Sequence, residues 1–157
     1  MNKILNILII VLQIILTFIV TFGIYMLLAL LDSDFGIDGL FGLFVIQPII
    51  AIIISSLTII GCLIVGLPIR LINKLNEWWI ANFYFSIIGV IVGFLILFIS
   101  FLPMFKDTIT VDVDGEQTIK EVPNLILIIG WFLISFSLIH LYPPRHLIDK
   151  IKLFFLG

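Results

Sequence analysis

Charge is what this 157-residue sequence has least of. Only 11% of its residues are Asp, Glu, Lys or Arg, and four stretches, 4–31, 39–69, 78–105 and 122–144, contain none. Without an ionisable group at depth, an ion-coupled transporter is not expected. Cysteine occurs once, so no intramolecular disulfide is possible, and Cys62 lies in an apolar run where a thiolate would be poorly solvated. No Asn-x-Ser/Thr sequon is present. Nor is there a Ser/His/Asp set, a metal-ligand cluster, a phosphate loop or a pair of acids at depth. No catalytic, cofactor or metal site is therefore expected. A net charge of −2 excludes the basic footprint of a nucleic-acid binder.

Apolar side chain fills the space that charge leaves. Hydrophobic residues make up 62% of the chain, and its mean hydropathy is +1.36. A water-soluble domain of this length could not hide that much apolar surface. A helix rises about 1.5 Å per residue, so about 20 apolar residues cross a hydrocarbon core of about 30 Å. The runs are continuous and not alternating, which favours helix over a closed barrel. The reading is an all-α integral membrane protein, one domain over 1–157, with four spans near 4–31, 40–67, 78–105 and 123–142. The first run is too long for a signal peptide, and no small-x-small cleavage site follows it.

The loops set the orientation. On one side would lie Lys3, Arg70, Lys74, Arg145, Lys150 and Lys152, against Glu77 and Asp149. On the other would lie Lys106 and Lys120, against Asp32, Asp34, Asp38, Asp107, Asp112, Asp114, Glu116 and Glu121. Basic residues mark the cytoplasmic side, so both termini are placed in the cytoplasm of a cell inner membrane.

Along the chain, Gln13, Thr17, Thr21 and Tyr25 recur every four residues in the first span. Such a stripe makes either interhelical hydrogen bonds or a pore lining; the first is the commoner use. Asp32, Asp34 and Asp38 suggest a calcium loop, but Gly36 and Leu43 stand where two of its ligands belong, so an acidic turn is expected. Pro48 should kink the second span or mark its start. From Ile69 to Glu77 the pattern turns amphipathic, with Ile72, Leu75 and Trp79 on one face and Arg70, Asn73, Lys74 and Glu77 on the other. That is an interfacial helix, with Trp78 and Trp79 as the aromatic belt at the start of the third span.

Asn82, Ser86, Gly89 and Gly93 then form a small-residue seam for packing within the bundle or between copies. Residues 108–121 read as an outer β-hairpin. A two-residue Asp114-Gly115 turn would set Val111 opposite Thr118; a three-residue loop would set it opposite Ile119 and gather the apolar residues, and is preferred. Pro123 suits the start of the last span. Gly130 and Ser137 share one of its faces, and His140 near its inner end is read as an interfacial hydrogen-bonding group. A second interfacial helix is expected over 145–155.

The segments Pro68–Leu75 and Pro143–Ile151 match after one inserted residue, which suggests two hairpin repeats related by a pseudo-twofold axis along the membrane normal. Convergence on one interfacial chemistry explains the match equally well.

In size and layout the chain resembles small bacterial inner-membrane proteins, some of them immunity proteins and some of them membrane subunits of anti-phage systems; no motif carries that resemblance. Three functions are open. The first is a non-enzymatic membrane module that self-associates as a homo-oligomer and engages a cytosolic partner or lipid through Arg70, Lys74, Trp78, Trp79, Arg145, Lys150 and Lys152, for instance in bacterial defence. The second is an immunity protein that meets a membrane-targeting toxin through its outer loop. The third is a small oligomeric pore lined by Gln13, Thr17, Thr21 and Tyr25.

Overall fold

Helix α1 occupies Lys3–Leu31, a stretch with no proline and a single glycine to interrupt it. The computed structural model to which it belongs describes residues 3–31, 41–102, 106–113, 116–123 and 125–143. The acidic loop at Asp32, Asp34 and Asp38, the Asp114-Gly115 turn and the tail carrying Arg145, Lys150 and Lys152 lie outside the described residues.

A π-helical segment, Gly42–Ile46, runs straight into α2, Gln47–Val65. Pro48 sits in the first turn of α2. It has no N–H to give, and its ring crowds the carbonyl four residues back. Widening the preceding turn relieves both, so the segment stays one helix.

Gly66 ends α2. Two short helices follow: α3, Leu67–Leu71, and α4, Asn73–Ala81, separated by Ile72 in extended backbone (φ −90°, ψ 108°). The expected single interfacial helix over 69–77 is thus broken. The break resets the helical phase, so Arg70 no longer shares a face with Lys74, and Ile72 is exposed.

Helix α5, Tyr84–Ile99, bends away from α4 by 72°. Trp78 and Trp79 therefore lie in α4, before the bend. The corner is held by Asn82. Its amide nitrogen donates to the Trp78 carbonyl at 2.8 Å, and its amide oxygen accepts from the Tyr84 hydroxyl at 2.8 Å. Such a side chain competes with the helix for backbone partners, which takes Asn82 out of the small-residue seam.

Strands β1, Lys106–Val113, and β2, Glu116–Pro123, pair antiparallel. Val111 lies opposite Thr118 and not Ile119. Val113 opposite Glu116 leaves two residues between the strands, the length that Asp-Gly favours. Pro123 closes β2 opposite Lys106 instead of opening a helix. Both strands of a two-stranded sheet are edges, where a missing N–H costs little.

Helix α6, Leu125–Ile139, is the central one. It packs on α1, α2 and α5, and buries Gly130, Trp131, Ile134, Ser135, Ser137, Leu138 and Ile139. Its backbone comes closest to α5, where a Cβ built on Gly93 would stand 2.6 Å from Ile134 Cγ1 and one on Gly130 would stand 2.9 Å from the Leu97 nitrogen. A Cβ on Gly89 would strike the Ser137 hydroxyl. The α5 seam is filled by α6 of the same chain. A pseudo-twofold exchanging α1 with α5 and α2 with α6 would give α5 the same contact with α2 that α6 makes with α1. Helix α5 packs chiefly on α6 instead, so the two halves do not pack alike.

The fold is mostly helical, and its large apolar side chains point outward, Leu57 at 63% and Phe98 at 74% exposure among them. Ile7–Leu30 and Gly42–Val65, 24 residues each, are long and apolar enough to cross a membrane. The bent pair α4 and α5 makes a third such segment if taken as one; α6 is apolar but shorter.

Candidate functional site

A helix that ends inside apolar surroundings has a problem: its last four carbonyls have no N–H partner within the helix. In hydrocarbon each unsatisfied group costs several kcal/mol. At the C-terminal end of α6, the carbonyls of Ile139, His140 and Leu141 are each taken by a side chain from another element. Arg70 Nη2, from α3, donates to the Ile139 oxygen at 2.9 Å. Trp79 Nε1, from α4, and Ser86 Oγ, from α5, both donate to the His140 oxygen at 2.9 Å. Gln13 Nε2, from α1, donates to the Leu141 oxygen at 2.9 Å. Two further bonds tie the caps together: Arg70 Nη2 to Gln13 Oε1 at 3.1 Å and Trp79 Nε1 to Ser86 Oγ at 3.1 Å.

His140 is fully buried at the middle of this hub. Its Nδ1 lies 2.8 Å from the Phe136 carbonyl, and since a carbonyl only accepts, Nδ1 carries the hydrogen. The ring is tilted on Phe136 at 4.4 Å and meets Trp79 edge-on at 6.2 Å. Its other edge rests on Gly66, where a Cβ would coincide with Nε2 and Cε1. Glycine at 66 is thus demanded by close approach. His140 Nε2 and Arg70 Nε are buried without a hydrogen-bond partner, as is Ser55 Oγ in α2.

The polar stripe of α1 is divided among three uses. Gln13 belongs to the hub. Thr17 and Thr21 are buried and donate back to their own helix, to the Gln13 and Thr17 carbonyls at 2.7 and 2.8 Å. The Tyr25 hydroxyl donates to Gln47 Oε1 at 2.9 Å and links α1 to α2. Farther along, Trp131 Nε1 donates to Thr58 Oγ1 at 3.1 Å and links α6 to α2.

The residues named from sequence as an inner basic surface are separated. Arg70 and Trp79 turn into the bundle. Lys74 and Trp78 stay exposed, with Leu71 and Ile72 exposed beside the break and Trp78 stacked on Phe85 at 5.4 Å. Ser86 joins the hub, and Gly89 and Gly93 lie under α6. Sequence reading did not see Gln47 as the partner of Tyr25, nor Gly66 as the floor under His140. The single local cue is a glycine two residues before Pro68. An apolar groove of about 480 Å³ also runs along Val65, Ile128, Ile129, Phe132, Leu133 and Phe136.

Compared with known protein families, curated proteins and solved structures, the chain matches none.

Proposed function

We propose that the chain crosses a cytoplasmic inner membrane four times, with both termini inside, and acts as a non-catalytic membrane module whose working surface is its inner end. The observation that carries this reading is where the polar groups lie. Gln13, Arg70, Trp79, Ser86 and His140 gather at one end of the bundle, beside the α3–α4 elbow that bends 72° from α5. All five donate to backbone carbonyls, four of them at the end of α6, which is capping and not catalysis. Helices α5 and α6, of 16 and 15 residues, rise about 24 and 22 Å at 1.5 Å per residue. Local thinning of the bilayer and snorkelling of flanking side chains accommodate spans of that length.

The elbow exposes Lys74, Leu71, Ile72 and Trp78 together, which suits an interfacial segment that meets anionic lipid or a cytosolic protein. A pore lined by the α1 stripe fits less well, because Gln13, Thr17 and Thr21 are at most 4% exposed within a single chain. Self-association would use a surface other than the Gly89–Gly93 seam. A photo-crosslinking residue placed at Lys74, and separately at Asp112, tests the reading in living cells. Adducts at Lys74 support it; adducts confined to Asp112 would contradict it and favour capture of a toxin outside.

A further inference from the structure

Among the described residues of the hub Arg70 is the one charge, and none of its hydrogen-bond partners there balances it. Both acceptors of Nη2, Gln13 Oε1 and the Ile139 carbonyl, are neutral. Among the described residues no carboxylate pairs with it. The C-terminal end of the α6 dipole supplies only about half a negative charge. Yet the side chain is half-buried and its Nε is sealed from solvent with no partner. A guanidinium partly withdrawn from water gains from a full counter-charge more than an exposed one does. Among the described residues its remaining nitrogen, Nη1, makes no hydrogen bond, which leaves a donor for an anion.

The surroundings narrow what that is. The exposed Lys74 lies four residues on, and the exposed Trp78 four beyond it, with Leu71 at 73% and Ile72 at 53% exposure between Arg70 and Lys74. An inward guanidinium beside an elbow that exposes a lysine, two apolar side chains and a tryptophan suits a ligand with a phosphate at one end and hydrocarbon at the other. Arg is the side chain best matched to phosphate oxygens, and a basic site between helices at the inner face is a common place for an anionic headgroup.

We propose that the inner end of the bundle binds the phosphate of an anionic phospholipid. Arg70 takes the phosphate through Nη1, and the exposed Lys74, Leu71, Ile72 and Trp78 of the adjoining elbow meet the surrounding headgroups and chains. Gln13 and the Ile139 carbonyl hold the guanidinium in place before the lipid arrives. This deepens the functional reading above, since it rests on that end of the bundle lying at the membrane surface.

Native mass spectrometry of the purified full chain in detergent tests it. Phosphatidylglycerol, phosphatidylcholine and inorganic phosphate are added in turn to the wild type and to the Arg70→Gln, Lys74→Gln and Asp149→Asn variants. The expected result is phosphatidylglycerol bound at least tenfold more tightly than phosphatidylcholine. Arg70→Gln should lower that affinity tenfold or more, and Lys74→Gln should lower it less. Displacement of the lipid by millimolar inorganic phosphate would assign the site to free phosphate and overturn the lipid assignment. Binding by Arg70→Gln equal to wild type, or no preference between the two lipids, would overturn the proposal. Binding that emerges only in Asp149→Asn would show that the chain's own tail neutralises Arg70, which also overturns it.

If Arg70→Gln does not fold, the wild type decides: phosphatidylglycerol should raise its unfolding temperature where phosphatidylcholine does not, and no difference would refute the site. Binding in detergent does not depend on which side faces the cytoplasm. A failed crosslink at Lys74 in cells and a failed lipid titration therefore contradict different statements.

Discussion

The guanidinium of Arg70 donates to the side-chain oxygen of Gln13 at 3.1 Å, across 57 positions of sequence. Each side chain also holds a carbonyl at the end of α6, Ile139 for Arg70 and Leu141 for Gln13. The pair therefore locks the first helix and the interfacial elbow onto the terminus of the central helix. Three elements meet there, and side chains take the place of solvent at the Ile139 and Leu141 carbonyls.

Replacing Gln13 by Leu removes one side of that lock. It strands the Leu141 carbonyl and one N–H of Arg70, and each buried group left unpaired costs about 1–3 kcal/mol. The unfolding temperature in detergent should fall. Thr17→Val, which deletes a bond to its own helix only, should change it far less. Equal effects would mean that the lock contributes nothing special.

Glycines offer an internal control. Gly66→Ala forces a methyl into the His140 ring, whereas a Cβ on Gly23 or Gly61 meets nothing within 4 Å. In an open helical position Ala is better than Gly by about 1 kcal/mol. Gly23→Ala and Gly61→Ala should therefore leave stability unchanged or raise it, and Gly66→Ala should lower it. A neutral Gly66→Ala would show that His140 does not rest there.

The two adjacent tryptophans should also behave differently. Trp79→Phe deletes a donor shared by the His140 carbonyl and Ser86, and a neutral hydrogen bond is worth about 1 kcal/mol net, more when it leaves a buried carbonyl bare. Trp78→Phe keeps an exposed ring stacked on Phe85 and should stay within about 0.5 kcal/mol of wild type. Chemical denaturation of both variants, followed by the fluorescence of the remaining tryptophans, checks the order.

The membrane class was legible in the sequence because it depends on bulk properties, uncharged runs of spanning length. The corners were not. Nothing local announces that Ile72 leaves the helix, yet that one residue decides that Arg70 turns inward while Lys74 stays outside. Asn82 was read as a member of a four-residue seam, because spacing alone cannot show a side chain that caps Trp78. The Gly-x-x-x-Gly of α5 signals close approach, and only the fold says that the approaching helix is α6. The hub was the least visible part. Its members are scattered from Gln13 to His140, and what joins them is the end of a helix, a need for acceptors and donors that leaves no motif.

The account stands on which side of the membrane the hub occupies. Single cysteines placed at Lys74 and at Asp112 in a Cys62→Ser background, and treated with a membrane-impermeant maleimide, test this directly. The account predicts that Asp112→Cys is labelled on intact right-side-out vesicles and Lys74→Cys only after the membrane is opened. Labelling of both without opening, or of Lys74→Cys alone, would contradict it.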